Sequence, residues 1–185
     1  MLKNQLAKNG LTLLSLVCAL LVSAQAAAED KKPKQRSILG WVEYVDVLPW
    51  GLHTKAKLDT GAKTSSMHAE DIEIFEKKGK DWARYVFEYT EKKGGEVKRA
   101  TIEAPVKRYV LIKRHKRKTQ RRPVVQLELC LDNRVYKTEF SLIDRSRFIY
   151  PVLLGRRLLK KAALIDADRT FLGQKDCKVA EKDKD

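Results

Sequence analysis

Alternation of apolar and polar residues with a period of two is the feature that most limits the folds open to this chain. In the stretch 123–131, "PVVQLELCL", every second residue from Val125 to Leu131 is apolar. Asp132-Asn133 then separates it from "RVYKTEFSLI" at 134–143. A period of two puts alternate side chains on opposite faces of a strand, and Asp-Asn is a turn pair, so the two runs predict a β-hairpin.

The same alternation recurs along the chain, and no run has the period of a long amphipathic helix. The further strand candidates are "ILGWVEYVDVLPW", "HTKAKLD", "MHAEDIEIFE", "WARYVFEYTE" and "ALIDADRTFL". The stretch 97–113 favours two short strands around Pro105, and 150–162 favours a strand that becomes a short helix after Gly155. Many short strands predict an all-β domain folded as a closed or nearly closed barrel.

The N-terminal residues 1–28 have the pattern of a cleavable secretory signal peptide. Two lysines precede a 12-residue apolar run at 11–22, which is short for a bilayer span, and small residues follow at 24–28. An uncleaved membrane anchor is the alternative. The pattern predicts a periplasmic or secreted protein after cleavage.

The remaining chain divides by composition into three segments. Residues 29–37 are charged and poor in apolar side chains, which indicates a flexible lead-in. The segment 38–173 carries the strand patterns and forms the predicted domain, and 174–185 is expected to be a disordered tail. Export would permit a disulfide between Cys130 and Cys177, but a buried thiol and a separate tail thiol fit the sequence equally well.

The charge of the chain is strongly positive, at +15 for 185 residues. Such a charge favours anionic partners, which include nucleic acids, anionic surfaces and acidic peptides. For an exported protein we expect no nucleic acid partner, and membrane headgroups, cell-wall polymers or acidic peptides remain. The stretch 113–122 holds seven lysines or arginines in ten residues and predicts a solvated loop or sheet edge.

The candidate catalytic residue is Asp59, in "AKLDTGAKTSS". It ends a predicted strand and is followed by Thr60, Gly61 and Ala62. Glycine allows a sharp turn there, and backbone N–H groups in the turn can hold the carboxylate. Two such carboxylates brought together share one proton, so that one member acts as a base on water and the other polarises a carbonyl. An ordinary turn is the alternative, since Asp-Thr-Gly alone is a weak signal.

A second motif lies about 90 residues after Asp59, where "VLLGRRLL" places Gly155 and Arg156 before a leucine-rich helix. This order of motifs resembles the retropepsin-like aspartic proteases, in which a D-T-G-A turn precedes an apolar-apolar-Gly-Arg stretch. Over residues 39–172 the chain is similar to the bacterial family labelled ATP-dependent zinc proteases, now described as retropepsin-like. The resemblance implies a retropepsin-like barrel with one short C-terminal helix and an aspartic endopeptidase activity.

The resemblance also implies how the site is assembled. Since the chain has one D-T-G, a homodimer would bring together two copies of Asp59. A monomer in which Asp144 or Asp166 supplies the second acid is the alternative. Gly155 and Arg156 are expected to support the active-site turn, with the arginine paired to an acid.

Neither ATP nor zinc is expected as a cofactor. The chain has no Gly-rich loop with a lysine for ATP and no His-Glu-x-x-His for zinc. A zinc site made of His53, His68 and either Cys130 or Asp59 can be drawn, but these residues lack the spacing of a metal motif.

The expected substrate is a peptide or protein. Relatives of the family are often encoded near ATP-grasp glutamate ligases, so the resemblance implies acidic or glutamate-rich peptides. Lys113, Arg114, Lys116 and Arg117 could steer such a substrate or rest on an anionic envelope surface. A non-catalytic module that binds a peptide or acidic polymer on the same fold is the alternative function.

Overall fold

The computed structural model describes residues 36–90, 95–114, 117–175 and Cys177, with Arg114, Arg117 and Lys118 described in backbone only. The predicted signal peptide therefore lies outside the described residues, as do most of the lead-in and most of the tail. Within the described residues, no helix is long and apolar enough to cross a membrane. The strands are β1 Ser37–Gly40, β2 Val42–Leu48, β3 Leu52–Asp59, β4 Ser65–His68, β5 Glu70–Lys77, β6 Lys80–Thr90, β7 Val97–Arg114, β8 Arg117–Leu131, β9 Arg134–Ile143, β10 Val152–Gly155 and β11 Ala163–Asp166, and the helix α1 is Arg156–Ala162.

Six strands form a closed barrel in the order β2, β3, β10, β4, β9 and β8, and the pairing of β2 with β8 closes the ring. Strands β7, β6 and β5 extend the sheet outward from β8, while β1 and β11 form a separate parallel pair. The all-β barrel with one short C-terminal helix is confirmed. Closure satisfies the backbone groups that an open sheet would leave at its edges.

The hairpin of β8 and β9 forms as the alternation predicts. Gln126 pairs with Glu139, and Leu131 pairs with Arg134 across the turn. Asp132 and Asn133 both have positive φ, 51° and 55°, as a two-residue type I′ turn requires. The inward residues of these and neighbouring strands fill the core, where Tyr85, Phe87, Met67, Phe140 and Leu129 are fully buried.

Three strand predictions were wrong. The stretch "ILGWVEYVDVLPW", expected as one strand, is divided at Trp41 into β1 and β2, which pair with different strands. The stretch around Pro105 is one continuous strand, β7, because it changes partner there: Pro105 is the last residue paired with β6, and Val106 pairs with β8. Proline is tolerated at such a point because it needs no ladder donor. The stretch "MHAEDIEIFE", expected as one strand, is divided at Ala69 into β4 and β5, which pair with different neighbours.

The basic stretch 113–122 is mostly strand rather than loop. β7 runs on to Arg114 and β8 begins at Arg117, and these two residues pair with each other. The described part of this stretch therefore lies at the end of a two-stranded hairpin.

The segment after β11 is fastened to the barrel by a buried carboxylate. Glu43 on β2 accepts the backbone N–H groups of Gly40 (2.6 Å), Leu172 (2.9 Å) and Gly173 (3.1 Å). The N–H of Gln174 bonds Asp132, and Cys177 forms a disulfide with Cys130. A buried carboxylate is tolerated when several donors surround it, so these three N–H groups explain how Glu43 can be buried in this barrel.

We predict that Cys177→Ser lowers the free energy of unfolding by about 2–3 kcal/mol, because the Cys130–Cys177 bond restricts the unfolded chain. Urea unfolding with and without a thiol reductant measures the effect. The reductant should destabilise the wild type and leave Cys177→Ser unchanged. Equal unfolding midpoints for wild type and variant in oxidising buffer would contradict the prediction.

Candidate active site

Asp59 lies at the C-terminal end of β3, and the pattern of that strand determines where its side chain points. Ala56 and Leu58 are buried in the core, while Lys55, Lys57 and Asp59 face outward on the opposite side. The side chain of Asp59 is 26% exposed. The alternation in "HTKAKLD" thus presents a carboxylate at the surface of a rigid barrel strand.

The turn after Asp59 holds its carboxylate with backbone donors. Oδ1 accepts the N–H of Gly61 at 2.9 Å and the N–H of Ala62 at 3.3 Å. Oδ2 lies 3.8 Å from the Nζ of Lys57. Thr60 and Gly61 are exposed, so a second molecule can reach this turn.

The N-terminus of α1 packs against the same turn. β10 runs parallel to β3 with Gly155 beside Asp59 in register. The backbone N–H of Arg156 donates to the carbonyl of Ala62 (2.9 Å), and that of Arg157 donates to Lys63 (3.2 Å). These first-turn N–H groups have no partner inside the helix, so they are free to fix the turn.

Arg156 supports the turn with its side chain as well. Its Nη1 donates to the carbonyls of Thr60 (2.7 Å) and Gly61 (2.9 Å). The resemblance implies that this arginine braces the dimer or the active-site loop by pairing with an acid. Within the described residues of one copy, it binds two backbone carbonyls. Its planar guanidinium can reach both at once, which orients the peptide groups that carry Asp59.

Gly155 is where β10 passes closest to the turn. A Cβ at this position would lie 2.6 Å from the backbone carbon and oxygen of Thr64. The Gly155 N–H donates to the Oγ of Ser65 (3.1 Å), which anchors the two segments to each other. Only glycine allows this approach, so the Gly-Arg pair and the Asp-Thr-Gly turn form one packed unit.

Arg145, in the loop before β10, is a buried arginine near the site that the sequence patterns did not indicate. Its buried guanidinium donates to the Oγ of Ser66 (3.0 Å) and to the carbonyl of Tyr150 (3.2 Å). Burial, then repulsion by Arg122, lowers the pKa of Arg145, while attraction by Asp59 opposes that change. Arg145 therefore lies within electrostatic reach of Asp59 without touching it.

These features were compared with known proteins. The model of the RimB-like family, described as the retropepsin-like aspartic endopeptidase RimB, matches residues 38–176. The chain belongs to this family. The RimB-like chain also resembles a crystal structure of a protein of unknown function from Legionella pneumophila, with 33% identity, a TM-score of 0.63 and coverage of 76% of this chain and 100% of that one.

Two curated relatives of this RimB-like chain are named probable alpha-L-glutamate ligase. The protein from Desulfotalea psychrophila is 30% identical over 71% of this chain, and the one from Shewanella pealeana is 29% identical over 65%. The matched part is 28% and 26% of those relatives. The chain thus spans about a quarter of their length.

The second-acid candidates of the monomer hypothesis are engaged in their own turns. Asp144 accepts the N–H of Ser146 (2.8 Å), and this bond lowers the pKa of Asp144. Asp166 bonds the side chain of Arg169 (2.8 Å) and the N–H of Asp168 (2.9 Å), which lowers the pKa of Asp166. Neither carboxylate contacts Asp59 in the described part of the chain.

The zinc that the older family label implies does not fit the histidines of this RimB-like chain. His68, Glu70 and Asp144 come together, with candidate ligand atoms within 4.8 Å of one another. However, the Nδ1 of His68 accepts the backbone N–H of Arg145 at 2.9 Å, so Nε2 must carry the ring proton of a neutral imidazole. A protonated nitrogen cannot bind a metal, and the other lone pair is already used.

The zinc set considered from the sequence is also not assembled. Cys130 is in the disulfide, and the Nδ1 of His53 bonds the buried Asp46 at 2.7 Å. His53 stacks on Tyr44 at 4.9 Å between ring centroids. Neither of these two residue sets therefore offers a zinc site.

A cleft of about 290 Å³ lies beside the outer face of β3. Lys55, His68 and Arg145 line it on one side, and Phe148 and Ile149 line it from the loop before β10. Phe148 is 58% exposed and Ile149 is 88% exposed. The cleft thus combines this exposed apolar loop with the outward Lys55 of β3 and with Glu88 of β6.

Three of the four residues proposed to steer substrate lie at the end of the β7–β8 hairpin, whose strands are not neighbours of β3 in the sheet. Lys113 is exposed on β7, and Arg114 and Arg117 pair through their backbones. Lys116 lies outside the described residues. Arg122 lies on the same hairpin, about four residues or ~13 Å along the strand from the level of Arg114. Its positive charge contributes to lowering the pKa of Arg145.

We predict that Arg156→Ala lowers kcat/KM for a cleaved peptide by about 10- to 100-fold, because the turn carrying Asp59 loses two side-chain bonds. Arg157→Ala is the matched control, since that exposed neighbour makes only a 3.7 Å ion pair with Glu139. Steady-state kinetics on both variants test the difference. Equal losses in the two variants would contradict a bracing role for Arg156.

Proposed function

We propose that the chain is an exported aspartic endopeptidase in which the Asp59 carboxylates of two copies activate water against a peptide bond. The observation that carries this proposal is the Asp59 turn itself. Its carboxylate is held by two backbone N–H groups, and Gly155 and Arg156 fix the turn from a parallel strand and a helix. This is the preorganisation that a reacting group requires.

The mechanism follows from placing two carboxylates within hydrogen-bond distance. Both cannot ionise easily, so the pair shares a proton and titrates as a unit. The charged member takes a proton from water as the water attacks the carbonyl carbon. The protonated member donates a hydrogen bond to the carbonyl oxygen and stabilises the charge that develops there.

A homodimer supplies the second carboxylate. In the described residues the contacts of Asp59 are the N–H groups of Gly61 and Ala62 and the ammonium of Lys57, with no acid among them. Thr60 and Gly61 are exposed beside Asp59. A two-fold axis at this turn would bring the two copies of Asp59 together without rearranging either barrel.

The proposed substrate is an acidic, glutamate-rich peptide outside the cytoplasm. Lys55 and Lys57 share the outward face of β3 with Asp59, and alternate residues of an extended peptide have the same spacing as alternate residues of that strand. The relatives named glutamate ligase support a connection with glutamate chemistry. Export rests on the N-terminal apolar run, and the proposal includes no nucleic acid partner.

The test is cleavage of a mixed peptide pool, followed by mass spectrometry, with wild-type and Asp59→Asn protein in the presence and absence of EDTA. We expect cleavage by the wild type only, no effect of EDTA, and preference for glutamate over matched glutamine peptides that weakens with salt. Specific binding of acidic peptides without cleavage would instead support the non-catalytic binding module. Cleavage lost with EDTA would contradict the aspartic mechanism.

A further inference from the structure

The outer part of the β7–β8 hairpin is a two-stranded arm with no other strand beside it. We call the residues 106–114 and 117–125 the basic arm. Within it, Val106 pairs with Val125 and Ile112 pairs with Gln120. The pairing of β6 with β7 ends at Pro105, and the pairing of β9 with β8 begins at Val124. A two-stranded ribbon is marginal alone in water, so a surface that receives it would stabilise it.

The charge of the basic arm has one sign. The stretch 106–125 contains nine lysines or arginines and no aspartate or glutamate. Arg108 is paired with Glu139 of β9 at 2.6 Å, which lowers the pKa of that carboxyl, and the hydroxyl of Tyr109 donates to Asp81 at 2.7 Å. These contacts lie at the inner end of the arm. The outer end has the larger excess of positive charge.

Exposed aliphatic side chains accompany this charge. Leu111 is 69% exposed and Ile112 is 36% exposed. Consecutive strand residues point to opposite faces, so each face of the arm carries an aliphatic side chain that stays at least partly exposed, and the face of Leu111 is the more open one. Arg121 lies opposite Leu111 in register, and Lys113 follows two residues later on β7.

This combination fits the interface of an anionic lipid bilayer better than it fits a nucleic acid. A bilayer offers phosphate to Lys113 and Arg121 and an apolar layer to Leu111. A nucleic acid duplex offers phosphate but no apolar layer, and a single strand binds through bases that stack on aromatic side chains. The arm's aromatic residue, Tyr109, is covered by Arg121 at 3.5 Å from its ring centroid and tied to Asp81. It therefore provides no stacking platform.

We propose that the basic arm docks the protein on an anionic membrane surface, with Leu111 below the headgroups and Lys113 and Arg121 among them. Docking would hold the barrel at the membrane through a segment outside the Asp59 turn. It does not depend on catalysis, so it stands or falls separately from the proposed protease.

The test is flotation of the full chain with vesicles of phosphatidylcholine alone or mixed with phosphatidylglycerol, at low and high salt. The apolar run 11–22 can bind both vesicle types, so the difference between them isolates the electrostatic part of the binding. We expect the wild type to prefer the anionic vesicles by about tenfold at low salt and to lose that preference at high salt.

Three variants distinguish the contributions to docking. Lys113→Glu with Arg121→Glu should abolish the preference for anionic vesicles, while Lys78→Glu with Lys80→Glu, the same charge change on the exposed β5–β6 turn, should retain most of it. Leu111→Ser should weaken binding to anionic vesicles several-fold and leave its salt dependence unchanged. Near-native circular dichroism of each variant establishes that the barrel is folded.

Two results would overturn the proposal. The first is an equal loss of preference in the arm variant and in the Lys78/Lys80 control, which would mean that only net charge matters. The second is a mixed-sequence RNA that displaces the protein from anionic vesicles and binds Leu111→Ser as tightly as wild type. That result would assign the arm to nucleic acid instead.

Discussion

Asp59→Asn should lower kcat/KM for peptide cleavage by at least about a thousandfold while leaving the fold unchanged. The asparagine oxygen can still accept the N–H groups of Gly61 and Ala62 that hold Oδ1 in the wild type. What it cannot do is take a proton from water or share one with a second carboxylate. Kinetics on a cleaved peptide, with unfolding curves for both proteins, measure the two effects separately.

Asp144→Asn is the matched control for this prediction. Asp144 bonds Ser146 in its own turn, so its amide should preserve activity within a few-fold. A loss as large as that of Asp59→Asn would make Asp144 the second acid and favour a one-chain site. Full activity in Asp59→Asn would remove Asp59 from the chemistry.

Gly155→Ala should lower the free energy of unfolding by about 3 kcal/mol or more, since the added Cβ meets backbone that cannot move aside. The atoms in its way are the carbon and oxygen of Thr64 at 2.6 Å, in the segment that leads from the Asp59 turn into β4. Relief of that clash must separate β10 from the turn. Activity should therefore fall together with stability, as urea unfolding and peptide kinetics on the same preparation would show.

Gly61→Ala separates this clash from the general effect of adding a methyl group near the site. The nearest atom to a Cβ there is the Asp59 side-chain oxygen at 3.1 Å, and a side chain can adjust. We expect a stability change well below that of Gly155→Ala, whatever happens to activity. Similar destabilisation by both substitutions would argue against a special close approach at Gly155.

The sequence was sufficient for the barrel and for the two motifs because each depends on local rules. Alternation determines which face of β3 and β8 is buried, and Asp132-Asn133 forms the turn that its residues favour. The position of Asp59 at a strand end followed from the same alternation, whereas that of Gly155 followed from the apolar run before it and from the family resemblance. Their pairing in parallel register is the contact that makes them one site.

The other features depend on contacts between distant segments, which a single sequence does not display. Arg145 reaches Ser66 across 79 positions, and nothing in "LIDRSR" distinguishes it from a surface arginine. Pro105 suggested a break in β7. Whether a strand tolerates a proline depends on the strand paired beside it, and the sequence does not display that neighbour. The acid partner expected for Arg156 came from the family resemblance, and the sequence alone does not display its contacts with the carbonyls of Thr60 and Gly61.

The most direct test of the paired-aspartate site is a subunit-mixing experiment. Wild-type and Asp59→Asn chains are mixed in equal amounts at fixed total concentration, allowed to exchange, and assayed on a cleaved peptide. If each site needs Asp59 from both copies, only about one quarter of the dimers are active, so about one quarter of the wild-type rate remains. A rate of about one half would mean that each chain works alone, and it would contradict the account.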